Sequence, residues 1–224
     1  MKLTKYAQSC GLVETRQGKR ILIDPGYYEF DEKLLENDWV DIDYIFITHK
    51  HSDHCHVEAI NKIIKRDKTK LYTVQEVYNF FPGLIKQEVV KEGDVVDLGD
   101  GVKVEVVKAV HGWIPLFKGN NKFPKENVGY VVDDGERRVY FTSDTLAFDN
   151  DYQCDAVWLP VCNHGLVMGS WDAAFFAKMV GAKYAIPVHG HNPAHPINWE
   201  QLDKDFKDHS LEYAKLDTGE SITI

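Results

Sequence analysis

A run of metal-binding side chains lies between residues 48 and 54, which read Thr-His-Lys-His-Ser-Asp-His. Imidazole nitrogens and a carboxylate oxygen suit a borderline divalent ion such as zinc. His49 and His51 project to the same side of an extended chain, and we expect Asp53 and His54 to begin a helix and turn toward the same centre. The alternative is a solvated histidine-rich loop in which Asp53 only caps the helix. The rarity of the H-x-H-x-D-H pattern at such a boundary favours a metal site.

A single ion takes three or four protein ligands, and this loop offers four that cannot easily all reach one ion. We therefore expect two ions and further ligands at other strand ends. Three residues each follow an apolar β run and precede a break: His111, Asp144 and His189. Each alone could be a turn, cap or edge residue, but together with the loop they indicate a dinuclear centre.

Strands and helices must position these residues, and hydrophobic periodicity predicts where they lie. Strands are predicted at 10–15, 19–24, 43–48, 70–74, in a hairpin within 88–110 that turns at 99–101, in a pair within 128–144 that turns at 134–135, and at 155–162 and 183–188. Helices are predicted from near residue 53 to 66 and at 75–83, 170–182 and 198–209, with a short helical or irregular segment at 30–39. Strand-rich halves followed by helices predict sheets packed together with helices outside.

The composition limits the class of protein. The 224 residues are 44% hydrophobic and 27% charged, which is typical of one soluble globular domain, and we expect residues 1–224 to form it. A net charge of −9 disfavours a nucleic-acid partner, and a small molecule is the expected partner. Four cysteines without a C-x-x-C pair predict reduced, mostly buried thiols. Without a signal-peptide pattern or a long apolar span, we expect a cytoplasmic location and no membrane association.

The order of the motifs resembles that of the metallo-β-lactamase superfamily over nearly the whole chain. The phrases that match are the Asp of LIDPG at Asp24, the H-x-H-x-D-H run, the lone histidine at 111, the Asp of TSDT and the His of PVHG. The resemblance implies an α/β (α+β) fold, a four-layer αββα sandwich. It implies that one metal is held by His49, His51 and His111 and the other by Asp53, His54 and His189, that Asp144 bridges both, and that Asp24 orients the centre from outside.

The resemblance also bears on the metal. Family members with a redox di-iron site usually carry Glu where this chain has His51, so the hydrolytic branch is implied. Two divalent ions are expected, zinc first, with manganese or mixed occupancy as alternatives. The phrases ILIDPG, YFTSDT and DAAFFAKMVGAKYAIPVHG are similar to the small branch that contains ascorbate-6-phosphate lactonase. Residues 161–165 depart from that branch, so the lactonase activity itself is not carried over.

The predicted activity is metal-assisted hydrolysis of a small ester, lactone or amide by a hydroxide that bridges the two ions. Asp53 or Asp144 would hold that hydroxide and accept its proton, and His164 is a candidate proton donor to the leaving group. The candidates for binding the substrate are Asn163, His164, His191 and Trp113.

Two other functions fit the same residues. One is a phosphodiesterase or ribonuclease of the same fold, which the net charge of −9 disfavours. The other is a non-catalytic metal-binding sensor domain, which the complete set of ligands disfavours. A homo-oligomer is compatible with the sequence, but no residue decides it.

Overall fold

The computed structural model describes residues 1–67, 69–84, 86–162 and 164–224. The strands in these ranges are β1 (Lys2–Lys5), β2 (Gly11–Glu14), β3 (Arg20–Ile23), β4 (Tyr44–Ile47), β5 (Lys70–Thr73), β6 (Gln87–Val89), β7 (Val95–Gly99), β8 (Val102–Lys108), β9 (Val128–Asp133), β10 (Arg138–Phe141), β11 (Ala156–Pro160), β12 (Tyr184–Val188) and β13 (Ser221–Thr223). The helices are α1 (Val57–Asp67), α2 (Gln75–Tyr78), α3 (Ser170–Met179) and α4 (Trp199–Asp208), with a π-helical turn at Leu34–Asp38 and a 3-10 turn at Pro115–Phe117.

The strands form two mixed sheets. The first has the order β13-β1-β2-β3-β4-β5-β6, and the second has the order β12-β11-β10-β9-β8-β7. In the first sheet β3 to β6 are parallel, and in the second β10, β11 and β12 are parallel. Since β9 is antiparallel to both β8 and β10, strands β8, β10 and β12 all run the same way. Their carboxyl ends therefore meet at one edge of the second sheet.

Alternate residues of β9 face different layers, as expected for a strand buried on both sides. Tyr130 and Val132 lie in the core between the sheets, whereas Val131 packs under α3 and α4. Across the core, the Tyr130 ring lies edge-on to Phe46 of β4, with centroids 5.0 Å apart. The Tyr130 hydroxyl also donates to the Ile47 carbonyl oxygen at 2.8 Å. The two sheets are therefore joined by apolar packing and by a buried hydrogen bond.

Helices cover the outer sides of the sheets. The amphipathic helix α1 buries Ile60 and Ile63 in the core cluster that includes the first sheet, and α3 and α4 bury Phe176 and Leu202 against the second. The expected αββα architecture is confirmed. Among the described residues, no helix combines the length and the apolar character that crossing a membrane requires.

The predicted start of α1 is wrong. The helix begins at Val57 rather than near Asp53, because the amide N–H groups of His54 and Cys55 both donate to the His51 carbonyl oxygen and close a turn. The amide of His56 donates to the Pro25 carbonyl oxygen, a partner outside any helix. The metal-binding run is therefore a compact loop, and Asp53 does not cap a helix.

The predicted hairpin within 88–110 does not account for β6, which pairs with β5 in the first sheet, and β1 and β13 were not predicted at all. β1 and β13 pair with each other, and β1 also pairs with β2, so the start and the end of the described chain lie side by side. Both strands are short, and β13 has no buried residue, which removes the alternation that would predict it.

Candidate metal centre

The candidate ligands lie in loops at the carboxyl ends of strands. The loop of residues 48–56 follows β4, and His111, Asp144 and His189 follow β8, β10 and β12. The common direction of those three strands brings their following loops to the same edge of the second sheet, facing the β4 loop. The sheet topology therefore explains how residues that are far apart in sequence meet.

Two clusters of possible ligand atoms result. The first ligand group contains His49, His51, His111 and Asp144, and the second ligand group contains Asp53, His54 and His189. Within each group the ligand atoms all lie within 4.8 Å of one another. All seven sequence-predicted ligands are thus brought together, in the division that the family resemblance implies; their role as ligands stays a prediction.

Asp144 lies between the two groups. Its Oδ1 atom is 3.2 Å from Nε2 of His54, and its Oδ2 atom is 3.2 Å from Nε2 of His189. Oδ2 is also 3.6 Å from Nε2 of His111, which belongs to the first ligand group. Only Asp144 has carboxylate oxygens this close to imidazoles of both groups among these described ligands. The geometry suits a carboxylate shared by two cations.

The outer nitrogen of several imidazoles has a defined partner. Nδ1 of His54 donates to Oδ2 of Asp24 at 2.7 Å, Nδ1 of His111 to the Gly112 carbonyl oxygen at 2.7 Å, and Nε2 of His51 to the Lys122 carbonyl oxygen at 2.8 Å. A carboxylate or a carbonyl oxygen can only accept, so each of these nitrogens carries the proton in a neutral ring. The opposite nitrogen then keeps a lone pair, which is what a metal ligand requires.

Buried atoms without partners test whether a cation fits. His49 Nε2 and His111 Nε2 are buried and make no hydrogen bond, while His54 Nε2 and Asp144 Oδ1 face each other at 3.2 Å. A buried polar atom left unpaired costs about 1–3 kcal/mol, so the two unpaired imidazole nitrogens require an explanation. Lone pairs of nitrogen and oxygen aimed at one small volume are the donor set of a zinc-type ion, and the residues present therefore fit such a group.

The charges of the site point the same way. Burial would raise the pKa of Asp144, but the facing His189 and His54 hold it well below its ordinary value. Burial likewise opposes protonation of His189, yet Asp144 and a contact with the Cys162 thiol raise its pKa to about 10. The pKa of His54 is raised well above its ordinary value against the opposing effect of burial, by Asp144, Asp24 and Asp53. The carboxylates thus draw positive charge into the second ligand group.

Imidazoles of the first ligand group behave in the opposite way. Burial and the neighbouring imidazoles hold the pKa of His49 well below its ordinary value, and burial also lowers the pKa of His111. Both rings are therefore neutral at pH 7, the protonation state in which an imidazole binds a metal.

Asp24 supports the site from behind. Its Oδ1 accepts the Thr48 amide N–H at 2.8 Å, and its Oδ2 accepts both the Thr48 hydroxyl at 2.7 Å and Nδ1 of His54. The Thr48 Oγ1 atom is in turn 3.0 Å from Nδ1 of His49. One carboxylate, with 1% of its surface exposed, therefore fixes the start of the loop and one imidazole of the second ligand group.

A cavity of about 630 Å³ opens above the ligands. His51, Asp53, Asp144 and His189 contribute to its lining, and one wall is apolar: Ile114, Leu116, Phe117 and Leu166. The lining also contains the side chains of Tyr27, Tyr28, Lys50, Lys122, His164 and His195. The Lys50 ammonium is already paired with Glu76 at 3.0 Å. The cavity has the size and the mixture of surfaces typical of a small-molecule site.

The candidate substrate residues have different positions. His164 lines the cavity, its ring centroid is 3.6 Å from that of His195, and its Nδ1 atom is buried without a partner. His191 lies outside this lining, and its Nδ1 accepts the amide N–H of Gln8 at 2.9 Å. Trp113 also lies outside the lining and is 56% exposed. Asn163 lies outside the described residues.

Gln8 is a site residue that the sequence did not reveal. It lines the cavity, and its amide Nε2 donates to Oδ2 of Asp53 at 3.1 Å. The signal that could have drawn attention to it is a polar residue in the tight turn between two strands, but one of those strands, β1, was not predicted.

Comparisons with known proteins bear on the family and the fold of this chain. Residues 2–189 match the family described as "Beta-lactamase superfamily domain". A UPF0173 metal-dependent hydrolase of Nanoarchaeum equitans is 26% identical over 197 residues, covering 84% of this chain and 83% of the relative.

Solved structures share the fold. Igni18, a metallo hydrolase from Ignicoccus hospitalis, has a TM-score of 0.79 at 22% identity, covering 99% of this chain and 97% of its own. An isothiocyanate hydrolase from Delia radicum gut bacteria has a TM-score of 0.74 at 20% identity, covering 100% of this chain and 99% of its own. At these identities the two structures show the fold alone.

Proposed function

This chain belongs to the beta-lactamase superfamily, and from that premise we propose that it cleaves a small ester, lactone or amide with two divalent ions. It is a metal-dependent hydrolase, as its homologues are. The type of bond, the number of ions and their identity, zinc before manganese, are what we propose. The observation that carries the proposal is the pair of ligand groups that meet at Asp144 on the floor of a cavity.

We assign His49, His51 and His111 to one ion, the second ligand group to the other, and Asp144 to both. Zinc ions held there would lower the pKa of a water molecule toward about 7 and polarise the oxygen of the scissile bond. The neutral rings of His49 and His111 and their unpartnered nitrogens support this assignment.

The two carboxylates would have different roles. Asp144 is buried and has a pKa well below its ordinary value, so it stays charged and is a poor proton acceptor near neutral pH. The Asp53 side chain is 20% exposed and lines the cavity, where it can meet a water molecule and the substrate. We therefore assign proton acceptance to Asp53 and charge neutralisation to Asp144.

His164 is the proposed proton donor to the leaving group. It lines the cavity, which places its ring where a substrate would lie, and its buried Nδ1 atom has no protein partner that would hold the ring's proton. The neighbouring His195 ring packs against it at a tilt of 35°, with the ring centroids 3.6 Å apart. A positioned acid of this kind contributes about 10²–10⁴-fold to the rate.

The cavity supports a small substrate with an apolar part. Ile114, Leu116 and Phe117 form a wall beside the ligands, and an acyl or aryl group of the substrate would pack against it. Two lysines, Lys50 and Lys122, line the cavity, and the pairing of the Lys50 ammonium with Glu76 at 3.0 Å reduces the positive charge that a polynucleotide backbone would meet. These features favour an ester, lactone or amide over a phosphodiester.

A substrate panel tests the proposal. Metal-free protein is reloaded with zinc or manganese, ions per chain are counted by mass spectrometry, and turnover is measured on aryl esters, lactones, anilides, an aryl isothiocyanate and bis-p-nitrophenyl phosphate. The isothiocyanate is included because a structural neighbour hydrolyses that class. We expect turnover of a carbonyl substrate that rises with the second equivalent of metal.

The same experiment can overturn the proposal. A phosphodiester turned over faster than every carbonyl substrate would establish the phosphodiesterase alternative. Two bound ions with no turnover on any substrate would favour the sensor domain. His164→Ala should slow substrates with poor leaving groups more than p-nitrophenyl esters, since only the former need a proton donor.

A further inference from the structure

Gln8 makes four hydrogen bonds around the second ligand group. Its side-chain Nε2 donates to Oδ2 of Asp53 at 3.1 Å, and its Oε1 accepts the amide N–H of His191 at 3.0 Å. Its backbone amide donates to Nδ1 of His191 at 2.9 Å, and its carbonyl oxygen accepts the amide N–H of His189 at 3.3 Å. A single residue of the β1–β2 turn therefore contacts two of the three ligands in the group.

The orientation of the Gln8 amide follows from its partners. The amide N–H of His191 can only donate, so the oxygen of Gln8 must face it, and the NH₂ group must then face Asp53. The side chain has 1% of its surface exposed and cannot exchange these partners for bulk water. The neutral amide gives the Asp53 carboxylate a hydrogen bond without neutralising it.

The backbone of Gln8 is held in an unfavourable conformation. Its φ is 52°, in the left-handed region that side chains other than those of Gly, Asn and Asp rarely adopt. Such a conformation costs about 1 kcal/mol or more and persists only where the surroundings impose it. The surroundings here are the His189 and His191 backbone and the tight turn closed by the Cys10 amide and the Ala7 carbonyl oxygen.

His191 links this arrangement to the end of the chain. Its Nε2 is 3.3 Å from the Thr218 hydroxyl, which donates to Glu29 at 3.0 Å. His191 was a candidate for binding substrate, but its two ring nitrogens face Gln8 and Thr218 instead. It therefore supports Gln8 from the side away from the ligands.

We propose that Gln8 is the positioning residue of the second ligand group, which fixes the rotation of the Asp53 carboxylate through Nε2 and the path of the His189 backbone through its carbonyl oxygen. The proposal rests on the function proposed above, since it assumes that this group binds an ion. Hydrogen-bond partners of metal ligands typically contribute 10–100-fold to metal affinity. We expect Gln8 to contribute that amount to the affinity of the second ligand group, which the proposal takes to bind the second equivalent of metal, and almost nothing to the affinity of the first group.

Gln8→Asn is the first variant to test. Asparagine tolerates the left-handed conformation, so the turn should fold, but its side chain is one methylene shorter and cannot reach both Asp53 and His191. Gln8→Met is the second variant, because it keeps the length and volume of the side chain and removes only its polar atoms. Gln17→Asn is the matched control: Gln17 also donates its amide to a protein oxygen, the Asp134 carbonyl at 2.8 Å, outside both ligand groups.

Zinc affinity is measured by competition with a chelator, together with the urea unfolding of the metal-free proteins. In both Gln8 variants the second equivalent should bind about 10–100-fold more weakly, while the first stays within about twofold of wild type. In Gln17→Asn both equivalents should be unchanged. A purely structural role would weaken both equivalents in step with the loss of stability.

Either of two results overturns the proposal. If wild type binds two equivalents and both Gln8 variants bind the second as tightly, Gln8 does not position the group, and the proposed hydrolase stands. If wild type binds a single equivalent, the proposed two-ion function fails together with the role of Gln8.

Discussion

The two ligand groups are supported in different ways. In the first, His49 contacts the preceding residue, Thr48, and His111 contacts the following residue, Gly112, whereas His51 contacts Lys122, 71 residues away. In the second, His54 depends on Asp24, 30 residues away, and Asp53 depends on Gln8, 45 residues away. Two of the three imidazoles of the first group are therefore supported by their neighbours in sequence, whereas the second group is supported by residues of the N-terminal strands that pack against the loop.

The groups also differ in charge. The pKa values of His49 and His111 are lowered by burial, whereas those of His54 and His189 are raised by Asp144 in spite of burial. The difference teaches that one carboxylate can serve two sites unequally: its oxygens lie 3.2 Å from imidazole nitrogens of the second group but 3.6 Å from that of His111. Substitutions and changes of pH should therefore alter the metal affinity of one group more than that of the other, unless they act on Asp144 itself.

Asp144→Ala should have the largest effect on metal affinity, and it should weaken both ligand groups alike. Removing the shared carboxylate leaves both groups short of a ligand, so we expect both equivalents of metal to weaken by more than about 100-fold, with turnover lost in parallel. Mass spectrometry of the metal content and the ester assay measure this. Asp149→Asn, at an exposed aspartate, is the control. Full metal content with retained activity in Asp144→Ala would contradict the assignment.

Asp24→Asn should affect the second ligand group selectively. An amide cannot accept hydrogen bonds from both Thr48 and His54 with the strength of a carboxylate, so we expect about 10–100-fold weaker binding of the second equivalent and a loss of about 3 kcal/mol in unfolding free energy. The buried Asp134, whose Oδ1 accepts the amide of Arg137 at 3.0 Å outside the ligand groups, provides the control variant Asp134→Asn. It should lose stability but keep both metals. Equal weakening of both equivalents in Asp24→Asn would remove the distinction between the groups.

Two glycines allow each group to be disturbed through the backbone. A Cβ atom on Gly26 would lie 1.8 Å from the Asp53 carbonyl oxygen, and one on Gly112 would lie 2.0 Å from the Gly165 carbonyl oxygen. Gly26→Ala must therefore shift the loop that carries Asp53, and Gly112→Ala must shift the chain next to His111. We expect Gly26→Ala to weaken binding of the second equivalent about tenfold, and Gly112→Ala to weaken binding of the first equivalent about tenfold. The same chelator competition measures both, and identical profiles would contradict the prediction.

The pH dependence of metal binding should also separate the groups. The pKa of His189 in the folded protein is about 10, above the ordinary value of 6.5, so the stability gained from its protonation is present below pH 6.5 and is lost as the pH rises through 10. A metal must displace that proton, so affinity for the second equivalent should rise about tenfold per pH unit or more between pH 7 and 9. The first equivalent should vary little, because His49 and His111 are already neutral. If chelator titrations show that the affinity for the second equivalent does not change with pH, His189 is not protonated beside Asp144 in the metal-free protein.

Much of the candidate site could be predicted because its signals are local. Each candidate ligand follows an apolar strand at a break in the pattern. Strands β8 and β10 end three residues before His111 and Asp144, and β12 ends directly before His189. The family resemblance added the αββα fold, which is confirmed, and the division of the ligands, which stays a prediction. The start of α1 was wrong because hydrogen bonds to the His51 and Pro25 carbonyl oxygens, rather than helical propensity, decide the loop conformation.

The sequence by itself indicated the candidate ligands and the strands that carry them, because residue type and periodicity are local properties, and the order of its motifs gave the family resemblance. Only the tertiary structure decided which imidazoles are neutral, which are charged, and that Gln8 reaches Asp53 while His191 faces away from the cavity. Those facts depend on burial and on hydrogen bonds between residues as far apart as Gln8 and His191, 183 positions along the chain. Such pairs are formed by the pairing of β1 with β2 and by the packing of the two sheets, and no local pattern in the sequence encodes them.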